Sequence, residues 1–178
     1  MKHGKAFGAA AMLVGAVCGG ALVKEVWLKK YREQKRKLEL VSKEREQLHR
    51  FLELGIAGVK ISEYFSEKAI GSVAVLGMNR EGRCLLKQLE LEGAVTPAYG
   101  VEARNYGAVH ERLTVYRLSQ DELPPADCLV VCDLEQTEEE RTAAQKEFPG
   151  KIVVLDEVLD WLYQKHSLKK WKGGPRDI

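Results

Sequence analysis

Twenty residues, Ser72–Leu91 (SVAVLGMNREGRCLLKQLEL), restrict the fold more than any other part of the chain, since strand, tight turn and helix follow one another there without a break. Val73, Ala74, Val75 and Leu76 form the short apolar run of a strand buried on both faces. The turn Gly77-Met78-Asn79-Arg80-Glu81-Gly82 reads G-x-N-x-x-G, one residue from the dinucleotide fingerprint G-x-G-x-x-G. Leu85, Leu86 and Leu89 then recur at helical spacing. In such a unit the helix N-terminus points unpaired N–H groups at an anion, usually a nucleotide phosphate. Asn79 stands where a second glycine would let a pyrophosphate approach the backbone. Asparagine accepts a left-handed backbone, but its side chain fills that space.

The residues around this unit extend the alternation of strands and helices. A short helix is predicted over Lys60–Glu67, the first strand over Val73–Leu76 and a helix from Arg80 to Glu92 stopped by Gly93. The second strand is predicted over Thr96–Gly100, with Pro97 at its start because proline cannot donate into a ladder. Leu113–Tyr116 and Cys128–Cys132 give the third and fourth strands, separated by the Pro124-Pro125 turn. A charged helix over Thr137–Phe148, a fifth strand over Ile152–Leu155 and a helix over Glu157–Lys165 complete the body. This pattern predicts a reduced five-stranded parallel Rossmann-like sheet of order 3-2-1-4-5.

Charge is distributed unevenly. Residues 1–50 carry twelve Lys/Arg against five Glu, whereas residues 51–164 carry eleven Lys/Arg against twenty Asp/Glu. An acidic body between basic ends is a poor nucleic-acid binder, because affinity there rests on cation–phosphate contacts. Ala6–Val23 runs for eighteen residues without a charge, roughly 27 Å as a helix against a bilayer core of about 30 Å. It is expected to be an uncleaved single-pass anchor, with a signal peptide as the rival reading. Seven Lys/Arg between Lys24 and Lys37 would hold the body in the cytoplasm beside an anionic membrane surface. Gly15 and Gly19 allow close helix approach within the anchor. In the neck, residues 24–54, the positions Trp27, Tyr31, Gln34, Leu38, Val41, Arg45, Leu48 and Leu52 keep a heptad seam. A solvated spacer helix and a homodimer through the anchor and neck are both open at this point. The Rossmann-like domain is expected over residues 55–164, with a basic tail over 165–178. Trp161, Leu162, Tyr163 and Leu168 would meet the membrane surface with that tail, or Trp161 and Leu162 would only cap the sheet.

Ligands of such sheets bind beyond the strand carboxyl ends, where strand order reverses. The candidate binding residues are therefore Gly77, Met78, Asn79, Arg80 and Gly82, with Glu102 after the second strand and Asp133 after the fourth. Glu102 lies twenty-five residues past Gly77, near where an acidic residue receives ribose hydroxyls. The expected cofactor is NAD(P) or a nucleotide-sugar. The cysteines, Cys18, Cys84, Cys128 and Cys132, fit small core residues better than a metal or disulfide pattern.

The order of the motifs VAVLGMNREGR (from Val73), AYGVE (from Ala98), LTVY (from Leu113) and LPPADCLVV (from Leu123) resembles the small Rossmann-like domains of bacterial polysaccharide-biosynthesis proteins, which accompany glycosyltransferases, acetyltransferases and nucleotide-sugar enzymes. Members show a YGMGxxG turn, a second strand ending GxxD, an xPVY strand and an xxDxVVV strand. The resemblance covers about Ile61–Leu159 and implies that Gly77, Gly82 and Glu102 contact a nucleotide or nucleotide-sugar. This chain departs from it at Asn79 and, more mildly, at Glu102.

No catalytic constellation accompanies these residues. There is no G-x-S-x-G elbow, Walker lysine, H-E-x-x-H or T/S-Y-x-x-x-K pair, and His110 is the one histidine in the body. Three functions fit: a membrane-anchored nucleotide-binding accessory of cell-surface polysaccharide assembly; a ligand-free scaffold docking a glycosyltransferase; or a minimal NAD(P)-dependent sugar-modifying oxidoreductase. They separate on whether the crevice at Gly77–Gly82 is open or plugged by a side chain.

Overall fold

The computed structural model describes residues 4–104, 113–134 and 138–168, with side chains from residue 25 onward. It divides into Met1–Lys43 and Glu44–Ile178.

Helix α1 spans Gly4–Ile56. No glycine or proline interrupts it between Lys24 and Leu54, and i,i+4 pairs such as Glu33–Lys37 at 3.0 Å support its solvated face. Among the described residues no helix is long and apolar enough to cross a membrane. The side chains of Ala6–Val23, where an anchor is expected, lie outside them.

In Glu44–Ile178 the last turns of α1 belong to the compact unit. Phe51 and Leu54 are buried in its core. The order continues α2 (Ser62–Glu67), β1 (Ser72–Leu76), α3 (Arg80–Glu92), β2 (Thr96–Glu102), β3 (Val115–Arg117), β4 (Cys128–Val131), α4 (Glu138–Glu147), β5 (Lys151–Val154) and α5 (Leu155–Lys165). All four strand pairings are parallel, and the sheet order is 3-2-1-4-5, as the sequence predicts.

Strand alternation sends side chains to two faces. Val73 and Val75 of β1 join Cys128, Val130 and Cys132 in a core covered by α1, α2, α3 and α5. Ala74 and Leu76 join Leu129 and Val131 in a smaller core with Ala144 and Phe148 from the α4 side. Cys128 and Cys132 therefore share one face, as their spacing requires. Trp161 packs partly buried on the larger core, edge-on to Tyr64, while Leu162 and Tyr163 are buried. Leu162 and Tyr163 are thus turned onto the sheet; the tail beyond Leu168 lies outside the described residues.

Two carboxylates close the amino ends of elements. Asp127 accepts from the N–H groups of Gly71 and Ser72 at 2.9 and 2.8 Å and from the Ser72 hydroxyl at 3.0 Å. These bonds hold its carboxyl below the usual range. Glu92 accepts from the N–H groups of Ile61 and Ser62, supplying the cap that α2 lacks in its own sequence. Gly93 adopts φ 66° and returns its N–H to Leu89, ending α3 where expected.

Several boundaries differ from expectation by a few residues. Strand β2 runs on to Glu102 instead of stopping at Gly100, and that extension draws Glu102 into the interior. Helix α5 begins at Leu155, because this buried leucine serves the first helical turn rather than the strand. Thr137, where the charged helix is expected to begin, lies outside the described residues, as does His110.

Candidate functional site

Strand order reverses between β1 and β4, so the crevice of interest lies at their carboxyl ends. On one side stands the turn from Gly77 to Gly82, on the other Cys132 and Asp133. The two strands are still joined there by the Cys132 N–H, which donates to the Leu76 carbonyl at 2.8 Å, while the Gly77 N–H turns the other way, to the Val101 carbonyl of β2 at 2.9 Å.

Asn79 is the N-cap of α3. Its backbone is extended (φ −67°, ψ −169°), and its side-chain oxygen accepts from the Gly82 N–H at 2.9 Å. The amide nitrogen of the same side chain donates across the crevice to the Cys132 carbonyl at 3.0 Å. One side chain thus satisfies a helix N–H that would otherwise meet a phosphate, and bridges the mouth through which that phosphate would enter.

Glu102 is buried, and its carboxylate accepts from the Met78 N–H at 2.5 Å. An acid in this place is expected to receive ribose hydroxyls; in the structure its carboxylate lies on the N–H of the glycine turn. Met78 is buried as well, and its side chain lies over Gly100, whose added Cβ would come within 2.5 Å of the sulfur. That close approach is the signal for a role that sequence reasoning missed: a glycine inside a strand marks a near neighbour.

The fingerprint glycines are needed by the chain itself. Gly77 has φ +95°, and a Cβ there would sit 2.9 Å from the Asp133 nitrogen. A Cβ on Gly82 would sit 2.1 Å from the Gly77 carbonyl oxygen. Arg80 is exposed at the first position of α3. The structure brings Gly77, Met78, Asn79, Gly82, Glu102 and Asp133 together around the crevice, with Arg80 at its edge. Nearby, Arg104 forms a two-pronged pair with Glu140 at 2.6 Å through both nitrogens. This pair links the elements that follow the strands on either side of β1.

Glu81 was not among the expected site residues, yet it is buried on the first turn of α3. Burial lifts its carboxyl above the usual range; the charge of Glu44 adds to this, while its own N–H, Arg80 and Arg83 oppose it. Burial also raises the thiols of Cys84, Cys132 and Cys128, the last to about 11. Cys128 and Cys132 are buried as well, which makes them inert core thiols, whereas Cys84 is exposed. Among the described residues no group of three or more His, Cys, Asp or Glu could hold a metal ion. No known family, curated protein or solved structure matches the chain.

Proposed function

We propose that this chain is a ligand-free scaffold: a Rossmann-like body, tethered at the cytoplasmic face of a membrane by its N-terminal apolar segment, that docks a protein partner. The observation carrying this reading is the occupied crevice. The Asn79 amide caps Gly82 and crosses to Cys132, and the Glu102 carboxylate takes the Met78 N–H. A nucleotide would have to displace both, leaving a buried carboxylate without its partner. The order of the sequence motifs is the reason we name a glycosyltransferase of cell-surface polysaccharide assembly as the partner class. The basic flank beside the apolar segment, on an otherwise acidic chain, supports the membrane side of the proposal.

The test is a thermal-shift titration of the full chain against NAD(H), NADP(H), UDP-sugars and coenzyme A. Binding stabilises a fold by about 2.7 kcal/mol at one hundred times Kd, so a working site at millimolar ligand is readily seen. The scaffold reading expects no saturable shift with any of them. A saturable shift would overturn it and return the chain to the nucleotide-binding class, with sugar chemistry as the next question.

A further inference from the structure

A groove of about 590 Å³ opens in the compact unit between the last turns of α1 and helix α3. Leu48, Phe51 and Leu52 line it from α1 at i, i+3 and i+4, and Cys84, Lys87 and Leu91 from α3 at i, i+3 and i+7, so each helix gives it one face. The α3 face runs over about 10 Å, two helical turns. Leu52 is 61% exposed and Leu91 77%, so these leucines stand as shoulders on the groove instead of closing it. A pocket for a small apolar molecule buries most of its ligand. An open trough two turns long between two helices suits a third helix, whose apolar side chains at i, i+3 or i+4 and i+7 drop between the shoulders.

Charge decides what kind of helix the groove accepts. Its cations are Lys60 and Lys87, both exposed, and Lys87 pairs with Glu90 only loosely, at 3.8 Å. The acid on its wall, Glu92, is already engaged, since its two oxygens accept from the N–H groups of Ile61 and Ser62 at 3.0 and 2.7 Å. The groove is thus a cationic site on a body that carries twenty Asp/Glu against eleven Lys/Arg in residues 51–164. The chain's own ends do not match it. Residues 1–50 carry twelve Lys/Arg against five Glu, and residues 165–178 carry five Lys/Arg against one Asp. We propose that this groove is the docking face for a partner protein, which enters it as an amphipathic helix with apolar anchors flanked by Asp or Glu. The inference rests on the scaffold reading for the existence of a partner, and adds where and by what chemistry that partner is held.

The test uses the full chain in nanodiscs of neutral phosphatidylcholine, which leave no free detergent to fill the groove, and two fluorescent synthetic helices of about five turns. Both helices carry leucines at i, i+3 and i+7; one has Glu and the other Lys at the flanking positions. By fluorescence anisotropy the Glu helix binds saturably and about ten-fold more tightly than the Lys helix, the yield of two exposed charge pairs turned from attraction to repulsion. Lys60→Glu with Lys87→Glu reverses that preference, an outcome that loss of the fold cannot produce. Leu52→Gln with Leu91→Gln abolishes binding of both helices and leaves circular dichroism and melting temperature as in wild type, because both leucines are exposed. A Glu helix that does not bind, or binding unmoved by the leucine pair, overturns the proposal. So does saturable binding of dodecyl phosphate without binding of the Glu helix, which would make the groove a site for an alkyl anion. Equal binding of the two helices overturns the acidic class of partner. None of these substitutions touches the crevice at Gly77–Gly82, so the nucleotide titration judges the scaffold reading separately.

Discussion

Replacing Asn79 by alanine removes two interactions at once, and the structure allows each to be sized. The cap on the Gly82 N–H, at 2.9 Å, is worth about 1 kcal/mol by comparison with Asn-to-Ala changes at helix starts. The bond to the Cys132 carbonyl, at 3.0 Å and partly buried, adds about 1 kcal/mol net. The total, about 2 kcal/mol, lowers the melting temperature of a domain of this size by roughly 6–10 °C. Two further variants separate the contributions. Asn79→Asp keeps an acceptor for Gly82 and places negative charge at a helix N-terminus, but it turns a carboxylate toward the Cys132 carbonyl, so about half the loss remains. Asn79→Gly completes the G-x-G-x-x-G pattern; glycine costs only a few tenths of a kcal/mol as a cap, so its loss of about 1–1.5 kcal/mol comes mainly from the missing bridge. Urea unfolding of Glu44–Ile178 followed by circular dichroism measures all three. An alanine variant within 0.5 kcal/mol of wild type would refute the assignment of Asn79 as the plug. Nucleotide affinity gained by the glycine variant would show that Asn79 alone closes the site; Glu102 on Met78 predicts none.

Two other outcomes follow from the packing of α1 and α3. Arg50 donates to Asp156 at 3.4 Å and to Asp160, and its guanidinium lies 5.1 Å from the centre of the Tyr163 ring. Both aspartates are 40% exposed or more and can rehydrate, so Arg50→Ala should cost about 2 kcal/mol, chiefly in packing, and Arg50→Met about half as much; chemical denaturation decides. For Glu81 the folded carboxyl titrates above its unfolded value, so its stabilising contribution is fully present below about pH 4.3 and lost as pH rises through the folded value. Glu81→Gln should therefore raise the melting temperature at pH 8 and change it little at pH 4. Asp127 has the opposite sign: its contribution is present at neutral pH and lost on acidification through its lowered folded value, so Asp127→Asn destabilises at pH 7 and ceases to matter in strong acid.

The strands were legible because each is a short apolar run between turn residues, and the order 3-2-1-4-5 follows from one strand–turn–helix unit placed early in a small α/β chain. Gly93 announced the end of α3, whereas Asn79, read from the sequence only as a departure from the glycine fingerprint, proves to be the cap that opens it. Glu102 was visible as an acid at the right distance from Gly77, but its direction was not. Whether a carboxylate at a strand end faces a ligand or the turn beside it depends on one more residue of pairing, here the extension of β2 through Val101 to Glu102 alongside Arg117 of β3. The docking of α1 was hidden for a different reason. Gln47 and Arg50 look like residues of a solvated helix, yet Gln47 donates to Asp156 at 3.0 Å and Arg50 is buried between α1 and α5. Only their partners more than a hundred residues away make them interior.

A glycine fingerprint can outlast its ligand when the glycines serve the fold, and Gly82 shows how to tell the two cases apart. A Cβ at Gly82 would stand 2.1 Å from the Gly77 carbonyl oxygen and 3.1 Å from a methyl of Val75. The first obstacle is backbone and cannot rotate away. Gly82→Ala must then push α3 off β1, and overpacking of this kind costs about 3 kcal/mol or prevents folding. At Gly100 the obstacle is the Met78 thioether, a flexible chain that can shift, so Gly100→Ala should cost nearer 1 kcal/mol. Both losses arise in the ligand-free protein. Were Gly82 retained to admit a pyrophosphate, its alanine variant would keep the stability of wild type and fail only in binding. A Gly82→Ala protein that melts within 2 °C of wild type would therefore refute the structural role assigned to the turn.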